Sequence, residues 1–428
     1  IGAGYEWSDR SPIAGFQATS LRASVAQAAK SPYYSARFAE LGIDSNDIKS
    51  ADDITKLPFP PKEDLRLSYP DTMLTVPKEQ VLRMHTSSGT TGKPTAIFHT
   101  RQDVENWAEL MARCLAMAGA TPADVFQNMS GYGLFTGGLG LHYGAERLGM
   151  WVIPAGAGNT ARQIMLIRDF HVTVIHATPS YAMHVAERMV QEGDDPRSLG
   201  IKIAALGAEP YTEELRLKLQ DLYGFKAFNS YGLSEMNGPG VAFECHEQNG
   251  MHIWEDSYLV EIIDPKTLQP VPDGEVGELV LTTLRRTAMP IIRYRTRDLT
   301  KKLVGDCSCG RKHAKLARFV GRSDDMLIIR GVNVFPSQIE EVLMSIPEIE
   351  PHYQIVVDRK GYLDVIEVWV EVGEDIFAET MGDLERFQRR VQAQIYNVLN
   401  IQAAVKLKEP KAIQRSEGKA VRVVDRRQ

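Results

Sequence analysis

Between residues 150 and 223 the chain alternates two patterns, and that alternation restricts its fold more than any other feature. Val152-Ile153-Pro154, Val172-Thr173-Val174-Ile175 and Ile201-Lys202-Ile203-Ala204-Ala205-Leu206 are short apolar runs, while 161–170, 180–192 and 211–223 carry apolar residues at helical spacing. Short buried strands separated by helices predict a parallel sheet with crossover connections, an α/β architecture. In such sheets ligands collect beyond the carboxyl ends of the strands. Gly207-Ala208-Glu209-Pro210 closes one strand, so it and Tyr231-Gly232-Leu233-Ser234-Glu235 are site candidates by position.

At 428 residues the chain exceeds what one hydrophobic core usually holds. An amphipathic helix is expected over 17–30, with Leu21, Val25 and Ala28 on one face. After residue 258 the pattern turns to β, in Leu259–Ile263 and Gly277–Leu281, with turns at Asp264-Pro265 and Pro272-Asp273-Gly274. Gly321-Arg322-Ser323-Asp324-Asp325 reads as a linker. Beyond it come an apolar run from Met326, a helix opened by Pro336, two strands (353–357 and 363–370) and a helix over about 379–399. The expected division is a large N-terminal domain with mixed and parallel sheets over 1–321 and a small α+β domain over 322–428. Net charge is −6, which argues against a nucleic-acid surface. No apolar run reaches membrane-spanning length, and Ile1–Tyr5 lacks the basic start of a secretory leader. Four cysteines in this length do not make a disulfide scaffold, and a cytoplasmic setting is expected.

Thr86-Ser87-Ser88-Gly89-Thr90-Thr91-Gly92-Lys93-Pro94 concentrates hydroxyls, two glycines and a lysine between apolar flanks. Glycines let the backbone approach a ligand closely, and converging N–H groups, hydroxyls and one positive charge suit a polyphosphate. It is not a Walker A loop, because Ser87 and Pro94 stand where that motif needs Gly and Ser/Thr. The structural alternative is a polar hairpin turn. Asp103 is expected to cap the following helix, which carries Trp107, Leu110, Met111, Cys114 and Leu115. Gly131–Gly140 then mixes glycines with Tyr132 and Phe135, the wall expected of a flat apolar pocket, and Tyr132, Phe135, Gly140 and Ala208 are its candidate lining.

Three cysteines are candidates for one metal site. Cys307-Ser308-Cys309-Gly310 is a tight pair, and Cys245 precedes an expected two-residue turn at Asn249-Gly250 that would pair 247 with 252. Cys245, His252, Cys307 and Cys309 would then form a closed Cys3His set, the pattern of structural zinc, with His313 as the alternative fourth ligand. Reduced core cysteines without metal are the other reading.

Five motifs in order, 87–94, 231–235, Tyr294-Arg295-Thr296-Arg297-Asp298, 321–325 and Gly418-Lys419, resemble those of the adenylate-forming superfamily of acyl-coenzyme A ligases. The likeness is greatest to the branch of bacterial phenylacetate–coenzyme A ligases, through Tyr132–Phe135, Thr178–Tyr181 and Arg330–Pro336. The resemblance implies that a carboxylate attacks the α-phosphate of ATP to give an acyl-adenylate, that coenzyme A then displaces AMP, and that a mobile C-terminal domain rotates between the steps. It gives Ser87, Ser88, Gly89, Thr90, Thr91, Gly92 and Lys93 to the phosphates, Glu235 to Mg2+, Tyr231 to adenine and Asp298 to the ribose. A salt bridge to Arg295 or Arg297 is the alternative for Asp298. Ala208, Glu209, Pro210, Asn229, Gly232 and Arg322 join the ATP or AMP site, Asp324 is the hinge, and Lys419 stabilises charge during adenylation. Arg297 stands where the wider superfamily usually has Gly. The implied partners are an aryl acid, ATP and coenzyme A, with homodimerisation as a family expectation. Transfer to a carrier-protein thiol and a non-catalytic nucleotide-binding module are the alternatives.

Overall fold

The structure is a computed structural model that describes residues 4–60, 62–86, 95–134, 136–325, 327–329, 332–360, 363–373, 376, 380–415 and 420–427. Its contacts form two compact units, one of 1–177, 201–208 and 228–318, the other of 178–200, 209–227 and 319–428. The grouping is discontinuous in sequence, so it differs from a cut at residue 321.

The first unit starts with α1 (Arg10–Ala28), which begins seven residues before the expected helix. Ile13, Gln17, Leu21, Ser24, Val25 and Ala28 are its buried stripe, spaced three and four apart. With α2 (Pro32–Leu41) it builds a cluster of Leu21, Val25, Tyr34, Phe38, Ile48 and Leu57 closed by Leu259, Leu284 and Ile292. After α3 (Lys62–Leu67), strands β1 (Arg83–Thr86) and β2 (Ala96–His99) pair as a hairpin ending at Thr86–Ala96. The hydroxyl-rich segment between them, Ser87–Pro94, lies outside the described residues. Helix α4 (Arg101–Met117) is capped by Thr100, not Asp103. Asp103 is three residues inside, and its carboxylate accepts from Thr100 N at 2.8 Å while Thr100 Oγ1 accepts from Asp103 N at 3.2 Å. This reciprocal pair is a capping box, which the single-residue cap expectation overlooked.

Strands and helices then alternate: β3 (Val125–Asn128), α5 (Thr136–Leu148), β4 (Trp151–Ile153), α6 (Thr160–Asp169), β5 (Val174–Ala177), α7 (Pro179–Gln191), β6 (Ile203–Gly207), α8 (Glu213–Tyr223) and β7 (Lys226–Tyr231). Antiparallel β8 (Ala242–Glu244) and β9 (Met251–Ile253) follow. A separate antiparallel set comprises β10 (Tyr258–Ile263), β11 (Gly277–Thr283) and β12 (Tyr294–Thr300). With β13 (Lys302–Leu303) and β14 (Lys315–Leu316) the large sheet has nine strands in the order β13-β14-β9-β8-β7-β6-β5-β3-β4. β3 to β6 pair in parallel, as the alternation predicts, and β7/β8, β8/β9, β9/β14 and β13/β14 are antiparallel.

In the second unit, which also holds α7 and α8, β15 (Gly321–Arg322) precedes a hairpin of β16 (Leu327–Ile329) and β17 (Val332–Val334). Next come α9 (Pro336–Met344), β18 (Ile349–Lys360), β19 (Leu363–Val372), α10 (Met381–Leu399), β20 (Ala403–Lys408) and β21 (Val423–Asp425). The sheet order is β20-β19-β18-β21. Ile355, Val357, Ile366, Val368 and Val370 share a core with Ile339 and Leu343 of α9 and with Phe387, Val391 and Ile395, four apart on α10. A large α/β part is thus joined by a smaller α+β C-terminal part.

Candidate functional site

The end of β7 sets the geometry of the first unit's site. Gly232 follows Tyr231, and a Cβ there would lie 2.7 Å from the Cα atoms of Gly238 and Pro239. Only a residue without a side chain lets the chain double back this closely. The returning turn places Ser234 Oγ 3.3 Å from Thr136 Oγ1, at the start of α5. The Glu235 carbonyl accepts from the Arg286 guanidinium, whose Nη2 also reaches Phe98 O at 3.5 Å. Burial draws Arg286 below its ordinary pKa, against the pull of Asp103 and Glu235. The Glu235 backbone is therefore anchored, and its half-buried carboxylate is a hard oxygen donor of the kind Mg2+ takes.

Asp298 arrives from β12. Between the pairs Glu278–Leu299 and Val280–Arg295, Leu279 of β11 faces Thr296, Arg297 and Asp298, so β12 bulges there. Such a bulge re-aims a side chain. Arg297 occupies the left-handed region at φ +69°, where an L side chain costs about 1 kcal/mol that Gly does not. Tyr231 Oη donates to Asp298 Oδ2 at 2.6 Å, a short charge-assisted bond joining two predicted site residues. Arg295 donates to both oxygens of fully buried Glu278, at 2.9 and 2.7 Å, and Arg297 Nη1 lies 3.6 Å from the same carboxylate. Glu278 thus answers the arginine charge. After β6, Ala208 is left-handed at φ +71°, and on β7 Asn229 N donates to Glu244 Oε2 at 2.8 Å.

Of the pocket candidates, Tyr132 Oη lies 3.2 Å from His142 Nδ1, and burial raises its phenol pKa. Gly140 abuts α4: a Cβ there would come within 2.5 Å of Trp107 Cζ2. Phe135 lies outside the described residues, as do Ser87, Ser88, Gly89, Thr90, Thr91, Gly92, Lys93 and Lys419. Sequence reasoning missed a ring cluster behind the β1–β2 hairpin. His99 stacks on Trp107 with centroids 5.6 Å apart, and His85 Nδ1 lies 3.1 Å from Leu134 O. Burial lowers both imidazoles, so they are neutral packing groups. Each ring comes from a different element or strand, and no spacing announces that. Arg286 escaped for the same reason.

In the second unit, Glu209 Oε1 accepts from Ser180 N at 2.6 Å, and Pro210 is exposed. Arg322 grips Asp324 through Nε–Oδ1 at 2.9 Å and Nη2–Oδ2 at 3.1 Å. A predicted nucleotide contact is therefore tied to the predicted hinge.

The cysteine cluster lies within the first unit. The ligand atoms of Cys245, His252, Cys307 and Cys309 all fall within 4.8 Å of one another. Cys245 Sγ is 3.7 Å from Cys307 Sγ, and Cys309 Sγ is 3.3 Å from His252 Nε2. Zn–S and Zn–N bonds of about 2.3 and 2.0 Å in a tetrahedron put ligand atoms about 3.5–3.8 Å apart, so the set fits zinc. His252 Nδ1 donates to His313 O at 3.1 Å, which leaves Nε2 as the ligand atom, and burial pulls His252 down to about 4. Burial also pushes the Cys245 thiol up to about 12, the cost a cation at this place would offset. The route to the cluster differs from the expected one. His252 pairs with Phe243, and the last pair is Glu244–Met251, so the connection is longer than two residues. Gln248 and Gly250 both take positive φ, 52° and 83°, and Gln248 N closes a turn onto Cys245 O at 2.9 Å. His313 contributes its carbonyl, and its ring packs edge-on to Trp254 at 5.8 Å.

An α/β body with Tyr231, Asp298 and Glu235 gathered at and after a strand end, followed by a small α+β part, is the architecture of an adenylate-forming enzyme. The chain belongs to the AMP-binding enzyme family: residues 22–284 match the model of that name, and 331–427 match the AMP-binding enzyme C-terminal domain. It is 48% identical to the phenylacetate-coenzyme A ligase of Thermus thermophilus, over 92% of each chain. Identity to the phenylacetate-coenzyme A ligase of Escherichia coli K12 is 46%, over 92% of this chain and 90% of that one. Among solved structures, 2-hydroxyisobutyryl-CoA ligase in the postadenylation state in complex with R3-HIB-AMP matches with a TM-score of 0.93 and 30% identity, covering 99% of this chain and 92% of that one. Among the described residues no helix is long and apolar enough to cross a membrane.

Proposed function

We propose that this chain is an ATP-dependent phenylacetate–coenzyme A ligase. The observation that carries the reading is likeness at 46–48% identity running through 92% of the chain. In the first step a carboxylate oxygen of the acid bonds to the α-phosphorus of ATP and the bond to pyrophosphate breaks. In the second, coenzyme A sulfur bonds to the acyl carbon, its proton is lost and AMP leaves.

Within the first unit, Tyr231 offers its ring to adenine, held in place by its bond to Asp298. Asp298 offers a carboxylate to the ribose hydroxyls, and Gly232, Ala208 and Asn229 complete the nucleotide contacts. Glu235 would hold Mg2+, which would supply charge neutralisation at the phosphates. The 87–93 segment is assigned to the β- and γ-phosphates by likeness, and Tyr132 and Phe135 to the acid's ring. From the second unit, Arg322, Pro210, Asp324 and Lys419 enter on the family resemblance, with Lys419 stabilising charge in the first step. Cys245, His252, Cys307 and Cys309 would hold a structural zinc ion, whose role there would be to tie together the segments that carry them. The four unpaired cysteines accord with a cytoplasmic setting.

The test is pyrophosphate exchange into ATP with a panel of aryl and alkyl acids. Phenylacetate is expected to support the fastest exchange, and an alkyl acid that outpaces it would overturn the substrate assignment.

A further inference from the structure

The described residues on either side of 416–419, up to Arg415 and from Ala420, are bound by carboxylates within the second unit. On the near side stands Glu371 of β19, fully buried. Its oxygens accept from Lys411 N at 3.1 Å, from Ile413 N at 2.6 Å and from Arg415 Nη1 and Nη2, both at 2.8 Å. On the far side is Ala420, whose N–H donates to Glu209 Oε2 at 2.9 Å. Glu209 Oε1 accepts from Ser180 N at 2.6 Å, in the first turn of α7, where backbone donors lack helical partners and favour an anion. The two oxygens of one carboxylate therefore join the first turn of a helix to the residue that follows Lys419.

We propose that Glu209 is a positioning residue for the adenylation step, acting by fixing the peptide next to Lys419. The proposal rests on the adenylation role given to Lys419 above. The Glu371 contacts belong to β19 and its own C-terminal segment, which the family resemblance treats as one moving body. The Glu209 contact joins that body to the loop after β6. A rotation between the steps separates Glu209 from Ala420 but leaves Glu371 in place. Removing Glu209 should therefore harm the first half-reaction and spare the second. The chemistry of the contact is specific: two N–H donors meet two carboxylate oxygens, whereas glutamine offers one acceptor and turns an N–H2 toward the other donor.

The experiment compares full-length wild type with Glu209→Gln, Glu209→Asp and Lys419→Ala in two assays. One is acid-dependent pyrophosphate exchange, and the other is thioester formation from supplied phenylacetyl-adenylate and coenzyme A. For Glu209→Gln the exchange kcat is expected to fall about tenfold, the size of one lost charge-assisted bond, with KM for ATP within twofold and thioester formation unchanged. Glu209→Asp, which keeps both acceptors on a shorter stem, is expected to retain more exchange than Glu209→Gln. A rise in KM for ATP at unchanged kcat would make Glu209 a nucleotide ligand and overturn the proposal, and equal loss in both half-reactions would make it only scaffold. If Lys419→Ala impairs exchange while Glu209→Gln does not, the positioning role alone fails. If Lys419→Ala itself spares exchange, the reading of Lys419 fails and takes the proposal with it.

Discussion

Replacing Cys309 with serine tests the four-ligand site most sharply. Cys309 is the one half-exposed member of the set, so the substitution disturbs packing least. Its Sγ lies 3.3 Å from His252 Nε2, and serine leaves three ligands and an open position. A structural ion held at about a thousand times its Kd stabilises the folded state by about 4 kcal/mol. A body of about 300 residues unfolds with an entropy of about 0.6 kcal/mol/K, so losing the ion lowers Tm by about 7 °C. The assay pairs elemental analysis of purified protein with thermal unfolding, with and without a strong chelator. Wild type is expected to carry one zinc per chain and Cys309→Ser far less, with the lower Tm. Cys114→Ala, at the buried cysteine of α4 outside the cluster, is expected to keep its zinc. Wild type that carries no zinc after expression in zinc-supplied medium, with a Tm indifferent to zinc and chelator, would refute the reasoning.

Tyr231→Phe keeps the ring but removes the 2.6 Å bond to Asp298. Steady-state kinetics are expected to show KM for ATP raised about tenfold with kcat nearly unchanged, because one charge-assisted bond is worth about 1.5 kcal/mol. Arg295→Ala takes two hydrogen bonds from the fully buried Glu278 carboxylate, and chemical denaturation is expected to show a loss of about 3 kcal/mol. Glu340 is buried, and burial pushes its carboxyl from the ordinary 4.5 up to about 7, with Arg422 opposing. Its raised folded pKa means the unfolded chain ionises first, so this residue's contribution declines between pH 4.5 and 7 and is level above. The stability of Glu340→Gln relative to wild type is therefore expected to rise by about 3 kcal/mol across that window, measured by denaturant unfolding at pH 4.5 and 8.

Local patterns made much of this molecule legible. The apolar runs at 152–154, 172–175 and 201–206 became the parallel strands β4 to β6, shifted by one or two residues. Pro336 opens α9 because its fixed φ and missing N–H suit a first helical turn. The cysteine set was legible because zinc demands particular atoms, and several backbone paths can deliver them. The path itself was misread, since Asn249-Gly250 looks like a complete hairpin turn, whereas the strand register and the left-handed Gln248 show a longer loop. Tyr231 and Asp298 were each visible in a motif, but their bond depends on a bulge in β12 that no periodicity encodes. Long-range anchors were invisible: Arg286 beneath Glu235 and Glu209 between Ser180 and Ala420 link residues far apart in sequence, and a single charge carries no mark of its partner.

The most direct measurement is the product balance of one reaction: purified protein with phenylacetate, ATP, Mg2+ and coenzyme A, the products separated and identified by mass. Phenylacetyl-coenzyme A, AMP and pyrophosphate are expected in equal amounts, with no AMP formed when the acid is left out. ADP and inorganic phosphate in their place, or AMP released with no thioester made, would contradict the proposed function.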